Sequence, residues 1–294
     1  MKKHVLLLGN GVNDVTHNYK WSDLVKDIAK HLNINGLKIV KDKPFSLLYE
    51  EMFLTNLRGR RYSEDNLKSF IAKKIMEIHP NELHTVINSL NFSDIMTTNY
   101  DYAIEKSIVD TSIDFEDKGI VKQNHYNLFR HNELNGCKIW HVHGEINKPN
   151  TILLGYEHYS GQLQHMRNYV VTGTGSAYQK RFPPLIKLLK NGKVENNSWL
   201  DMFFMRDIHV VGLTLDFVEL DLWWLLTYRA RAILEKRLPI KNQITYYYPK
   251  ALENQIQFKI DMLKANEVLP KALGDKHDMA YYEAVFDTIK KSAS

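Results

Sequence analysis

The sequence predicts an α/β protein, a mainly parallel sheet flanked by helices, with a helical insertion. Three observations carry this reading. Short apolar runs of β character alternate with stretches of helical spacing, the pattern of parallel strands joined by crossover helices. Three of the β runs end on polar residues, at Leu7-Leu8-Gly9-Asn10-Gly11, Met96-Thr97-Thr98-Asn99-Tyr100-Asp101 and His141-Val142-His143-Gly144-Glu145. Polar groups at strand ends mark the edge at which parallel sheets bind ligands, and these suggest one nucleotide site. Between the first and second runs, residues 24–90 read mostly as helix.

Taken in order, His4 to Leu8 has the continuous apolar pattern of a buried strand. Trp21, Leu24, Ile28 and Leu32 share one face of a helix from Trp21 to Leu32. Phe45 to Leu57 and Leu67 to Ile78 are helical, the second announced by Ser63-Glu64-Asp65, and Glu82 to Leu90 follows the break at Pro80. Asp94 to Thr98 is the next strand, with a helix from Asp101 to Val109 behind it. Lys138 to Val142 and Thr151 to Leu154 read as strands. Residues 157–205 have an irregular pattern of loops with room for two helices, and Thr172-Gly173-Thr174-Gly175-Ser176 and Pro183-Pro184 mark turning points. Asp207 to Val211 is a strand ending at Gly212. Asp216 to Leu234 is a strong helix, with Asp216 and Glu219 in capping-box register. Gln243 to Tyr248 is a strand stopped by Pro249, Leu252 to Leu263 a helix, Glu267 to Leu269 a short last strand, and Asp278 to Lys291 a closing helix. One domain over 1–294 is expected, with a helical insertion at about 24–90 and an irregular one at about 157–205.

Composition excludes several classes. The 294 residues are 44% hydrophobic and 25% charged, as in ordinary globular proteins. The lone Cys137 permits neither an internal disulfide nor a four-thiolate zinc site, which fits a reducing cytoplasm. The apolar run after Met1-Lys2-Lys3-His4 stops at Gly9, too short for a secretory leader. No stretch approaches the roughly 18 apolar residues of a membrane span; the best candidate, Leu220 to Leu234, is broken by Asp221, Arg229 and Arg231. A net charge of +5 is mildly basic. The clusters Arg58-Gly59-Arg60-Arg61 and Lys290-Lys291 suit a solvated surface or a weak attraction for anions, and no nucleic-acid recognition motif is present.

The strand ends carry the chemistry. Gly9-Asn10-Gly11 lets backbone approach a phosphate near a helix start, although Asp14 stands where the dinucleotide fingerprint has its third glycine. Asn99 or Asp101 either caps the helix that follows or projects a carboxamide and a carboxylate into a cleft. His141 and His143, two apart on a strand, share a face; no further metal-ligand set accompanies them. His143, beside Gly144 at the strand end, is the better placed base. Tyr156, His158 and Tyr159 wall a pocket or pack on the core. The Thr172–Ser176 segment is similar to a phosphate cradle but lacks the strand-to-helix context, so it reads as a flexible lid, and Gly212-Leu213-Thr214 offers Thr214 and nearby amides to a phosphate. Trp223-Trp224 belongs to the core or to an oligomer contact.

In this order the motifs resemble those of the sirtuin-like superfamily. Gly9-Asn10-Gly11-Val12-Asn13 is similar to the family's Gly-Ala-Gly-Ile-Ser loop, Thr97-Thr98-Asn99-Tyr100-Asp101 to its Thr-Gln-Asn-Ile-Asp motif, His143-Gly144 to its catalytic His-Gly, and Gly212-Leu213-Thr214-Leu215 to its Gly-Thr-Ser-Leu. The resemblance implies NAD as substrate on a Rossmann-like sheet. By position, Gly9, Asn10, Gly11 and Asn13 belong to the pyrophosphate loop, and Thr98, Gly212 and Thr214 also contact the cofactor. Asn99 holds the ribose and a water, Asp101 faces the nicotinamide carboxamide, and His143 is the base at the nicotinamide ribose. The chain lacks the two zinc-binding Cys pairs of the protein deacylases, so no metal is expected. Asn99 and His143 are 44 residues apart, more than in the deacylases, and His17-Asn18-Tyr19-Lys20-Trp21 replaces their Ile-Pro-Asp-Phe-Arg stretch.

These departures are similar to those of the bacterial sirtuin-like NAD glycohydrolases of anti-phage defence. The implied activity is hydrolysis of the nicotinamide–ribose bond to nicotinamide and ADP-ribose by an NAD-depleting effector. The other two readings are an NAD-dependent protein deacylase and a non-catalytic NAD or ADP-ribose binder in a defence complex. No sensor domain stands out, so control is expected from a homo-oligomer or a partner such as an ATPase or a phage-derived activator, with the helices at 24–90 and 216–234 as candidate interfaces.

Overall fold

A computed structural model describes residues 3–16, 21–34, 36–37, 43–59, 62–109, 116–120, 125–175, 178 and 180–292. Strand β1 (His4–Leu8) leads through the single turn α1 (Gly11–Asp14) to helices α2 (Trp21–His31), α3 (Phe45–Arg58), α4 (Glu64–Ile75) and α5 (Glu82–Ser89). Strand β2 (Asp94–Thr97) is followed by α6 (Ala103–Ile108), β3 (Asp117–Lys118), β4 (His131–Leu134) and β5 (Cys137–His141). Helices α7 (Tyr156–Arg167), α8 (Leu185–Lys190) and α9 (Trp199–Met205) come before β6 (Asp207–Val211). Then follow α10 (Leu220–Leu234), β7 (Ile244–Pro249), α11 (Gln257–Ala265), β8 (Val268–Leu273) and α12 (Met279–Ser292).

The strands form one sheet in the order β3-β4-β5-β2-β1-β6-β7-β8. From β5 to β8 every neighbouring pair is parallel, and β3 and β4 add an antiparallel edge. Counted in chain order, the parallel strands run 3-2-1-4-5-6, the doubly wound Rossmann arrangement. In that arrangement the winding reverses between the first and fourth strands, and a crevice opens at their carboxyl ends. Here the reversal falls between β1 and β6, paired from His4↔Asp207 to Leu8↔Val211.

Helices cover both faces, which is why β1 reads as an unbroken apolar run. Val5 and Leu7 enter one core with residues of α9 and α10, whereas Leu6 and Leu8 enter another with α5 and α12. Helices α2 to α4 close their own core around Leu24, Ile28, Met52, Leu67 and Ile71, and Tyr100, Tyr102, Ile146 and Ile152 from the strand-end loops complete it. The helical insertion is therefore seated against the loops that carry the polar motifs.

Several expectations need correction. Thr151 to Leu154 is not a strand: Thr151 ends a 3₁₀ turn over Pro149–Thr151, and the Leu153 N–H bonds the carbonyl of His143. The stretch 157–205 is more helical than its pattern suggests, because α7 pairs with α10 and buries His158, Tyr159, Gln162 and Met166 among polar neighbours that blur the periodicity. Helix α10 starts at Leu220, and Asp216 and Glu219 form no capping box: Asp216 accepts from the adjacent Phe217 N–H, and the Glu219 side chain turns inward. Helix α11 starts at Gln257 rather than Leu252, which lies in a 3₁₀ turn. Ser63 caps α4 as expected, accepting from the Asn66 N–H. His17 to Lys20, Arg60, Arg61 and Ser176 lie outside the described residues. Among the described residues no helix is long and apolar enough to cross a membrane.

Candidate active site

A cleft of about 290 Å³ opens at the carboxyl ends of the central strands. That is at the lower edge of the range of small-molecule sites. Asn10 and Gly11 line it from the end of β1, Thr98 and Asn99 from β2, His143 from β5, and Gly212 and Thr214 from β6. The topology thus brings together seven of the ten residues singled out in the sequence.

His143 reaches the cleft because the chain turns sharply after β5. Gly144 has φ +96°, and a Cβ there would lie 2.1 Å from the Thr151 carbonyl oxygen, so no other residue fits. The imidazole is 1% exposed, and its Nε2 lies 3.0 Å from Asp221 Oδ2 at the start of α10. Tyr159 meets the ring edge-on at 5.4 Å between centroids. With Nε2 committed, Nδ1 is the nitrogen left for chemistry. Burial disfavours the imidazolium, but the Asp221 carboxylate and, behind it, Glu219 hold the pKa above its ordinary value.

His141 does not share this face. Strand β5 ends at His141, so the alternation that would align the two rings is lost. Its Nδ1 donates to the Asn99 carbonyl at 2.8 Å and its Nε2 to Glu105 at 2.8 Å. Burial opposes that charge, yet Glu105 pushes the pKa up to about 9. The ring therefore braces the Asn99 backbone, and Asn99 lines the cleft. Among the described residues, no three His, Cys, Asp or Glu side chains converge as a metal-ligand group.

Gly9, Asn13 and Asp101 lie one layer back and do not line the cleft. At Gly9 the need is for close approach: a Cβ would come within 2.5 Å of the Gly212 carbonyl oxygen, where the ends of β1 and β6 touch. Asp101 is 5% exposed and accepts from the Ala103 N–H at 2.9 Å and from Asn13 Nδ2 at 2.9 Å. It is the helix-side bond of α6, not a cleft carboxylate. Asn13 in turn donates to Asn10, and Asn10 to Asp14. This chain of amides ties the loop after β1 to the loop after β2.

The other motif residues divide in the same way. Tyr159 walls the cleft, Tyr156 is exposed, and His158 accepts from the Leu154 and Gly155 N–H groups while contacting Glu64 at 2.7 Å. Glu145 holds Arg130 at 2.6 Å and Tyr102 at 2.7 Å, anchoring the antiparallel edge. Thr174 pairs with Phe182 through its backbone and its hydroxyl, so the expected lid is pinned at that point and does not border the cleft. Trp223 is buried, with its indole N–H on the Asp216 carbonyl.

Glu219, Asp221, Lys259 and the Tyr246-Tyr247-Tyr248 run were not anticipated. Glu219, Lys259 and the three tyrosines line the cleft, and Asp221 buttresses it. Acids before an apolar helix are ordinary first-turn residues. What sets Asp221 apart in the sequence is its place between Leu220 and Leu222, inside the apolar run.

The strand order and the cleft at the carboxyl ends of the central strands are those of a Rossmann-like fold. The SIR2-like domain family matches residues 93–191, from just before β2 to just past α8, a segment that includes Asn99 and His143. The chain is also similar to the NAD(+) hydrolase ThsA of Cytobacillus dafuensis, 24% identical over 178 residues, which cover 60% of this chain and 33% of that protein. The match thus spans about a third of the length of that curated relative.

Proposed function

We propose that the cleft binds NAD and hydrolyses its nicotinamide–ribose bond, releasing nicotinamide, ADP-ribose and a proton. One observation carries the reading: a buried histidine, held through one nitrogen by Asp221, lines the same cleft as Asn99 at the switch point of a doubly wound sheet. The similarity to an NAD(+) hydrolase agrees with it. The bond between the sugar and the ring nitrogen breaks with its electron pair going to the ring, and a water oxygen replaces the ring on the sugar. Asn99 orients that water or a ribose hydroxyl. His143 takes the proton, most readily when its pKa lies near the working pH. Asp101 acts at a distance, through Asn13, by holding the loop that carries Asn10.

In this reading residues 1–294 act as a single NAD-binding domain, and the protein is an NAD-depleting effector of anti-phage defence in the cytoplasm. Its activity is held in check by a homo-oligomer or a defence partner. The test is nicotinamide release from NAD by the purified protein, followed by chromatography, with His143→Ala and Asn99→Ala alongside. Each variant is expected to lose about 10²–10⁴ in rate with its circular dichroism unchanged. Wild-type turnover by a folded His143→Ala protein refutes the assignment. NAD binding with no release from the wild-type protein favours the non-catalytic reading, and release that depends on an acylated peptide favours the deacylase.

A further inference from the structure

Glu219 is the acid of the cleft for which hydrolysis as described has no use. It lines the cavity just before α10 and is 9% exposed. Its Oε2 is buried and receives no hydrogen bond. His143 and Lys259 attract it through space, but none of the groups around it gives a hydrogen bond to Oε2. Tyr100 gives its hydroxyl to the Leu153 carbonyl and Tyr246 gives its own to Thr214. Lys259, on α11, directs its Nζ to the Thr214 carbonyl at 2.7 Å. His143 is engaged by Asp221, and Asp216, Asp221 and Tyr159 add no positive charge. The Asp216 backbone N–H bonds the carboxyl, but a buried carboxylate oxygen with no donor of its own is costly to keep and calls for an explanation. A cationic ligand supplies one.

We propose that Glu219 is the charge-recognising residue of the cleft, its carboxylate meeting the positive charge of an oxidised pyridinium nucleotide, so that the site takes the cationic dinucleotide in preference to its neutral, reduced form. This rests on the NAD reading of the cleft and adds the basis of its selectivity. The argument is one of dielectric: where water is excluded, a single unpaired charge discriminates between ligands differing by one charge far better than it does at a surface. Burial, opposed by His143, pushes the Glu219 carboxyl up to about 7. The carboxylate therefore forms as pH rises through neutrality, and the preference grows in the same direction. Binding of the cation favours the ionised acid, so a proton is released near neutral pH.

The experiment is calorimetric titration of the whole chain with the carbocyclic analogue of NAD, whose bond to the ring is not labile, with its reduced form, and with ADP-ribose. At about pH 8.5 the wild-type protein is expected to bind the cationic analogue at least about tenfold more tightly than the reduced one, and at about pH 5.5 the ratio falls towards one. In Glu219→Gln, which copies the shape of the protonated acid, the ratio is expected near one at both pH values, with ADP-ribose affinity unchanged. Equal affinity of the two redox forms for the wild-type protein overturns the role of Glu219 and leaves the NAD reading intact. So does a preference in Glu219→Gln as large as in the wild type. Failure of all three ligands to bind overturns both.

Discussion

Replacing Asp221 by Asn tests the centre of the site with little change of shape. Asp221 is fully buried, and its Oδ2 is 3.0 Å from His143 Nε2. At that separation, with an effective dielectric near 20, the attraction between carboxylate and imidazolium is roughly 5 kcal/mol before desolvation is subtracted. The carboxylate also fixes the tautomer, keeping the proton on Nε2 and the lone pair on Nδ1. An asparagine can offer its NH₂ to Nε2 instead, moving the proton to Nδ1 and removing the base. In a serine protease triad the same change costs about 10⁴ in kcat. Asp221→Asn is therefore expected to lower nicotinamide release by about 10²–10⁴ at pH 8, with NAD affinity nearly unchanged. A pH profile separates this from simple loosening. The base must be neutral, and Asp221 holds the His143 pKa above its ordinary value, so the acid limb of the wild-type profile lies above about pH 6.5. In the variant the limb moves to lower pH. Stability carries the same sign. A histidine whose folded pKa is raised adds stability that is complete below its unfolded pKa and lost as pH rises through the folded one. The melting difference between the two proteins is thus largest on the acid side. Unchanged kcat/KM with an unmoved acid limb would refute the role given to Asp221.

Two further predictions concern the frame of the site. A Cβ at Gly9 meets the Gly212 carbonyl oxygen at 2.5 Å, so Gly9→Ala is expected to cost about 1–3 kcal/mol in urea denaturation and to weaken NAD binding; wild-type stability would show that the β1–β6 ends can part freely. Glu219→Gln is expected to stabilise the fold at pH 8 and not at pH 4. The folded carboxyl, pushed up to about 7, binds its proton more tightly than the unfolded one, so the wild-type protein loses stability as pH rises from about 4.5 to about 7. The gain has an upper bound of about 3 kcal/mol, and melting curves at the two pH values measure it.

Strands β1, β2, β5 and β6 were legible because burial on both faces leaves short, mainly apolar runs, unbroken in Val5-Leu6-Leu7-Leu8 and interrupted only by His209 in Ile208-His209-Val210-Val211. The edge strands β3 and β4 were not, since Asp117-Lys118 is too short and His131-Asn132-Glu133-Leu134 carries no alternation. The candidate site was legible where local chemistry is unusual, as at Asn99 and His143. It was misread where an ordinary local role looked sufficient. Glu219 passes for a cap, and Asp221 for a mere interruption of an apolar run.

By itself the sequence determined the α/β class, the strand ends that matter and most of the polar groups placed there, because period and composition are local properties. Only the tertiary structure decided which of those groups share a cleft. That depends on winding β1 beside β6, on bringing Asp221 to a histidine 78 residues earlier, and on burying Glu219 without a donor to its Oε2. Distance through space and exclusion of water arise only once the helices close over the sheet.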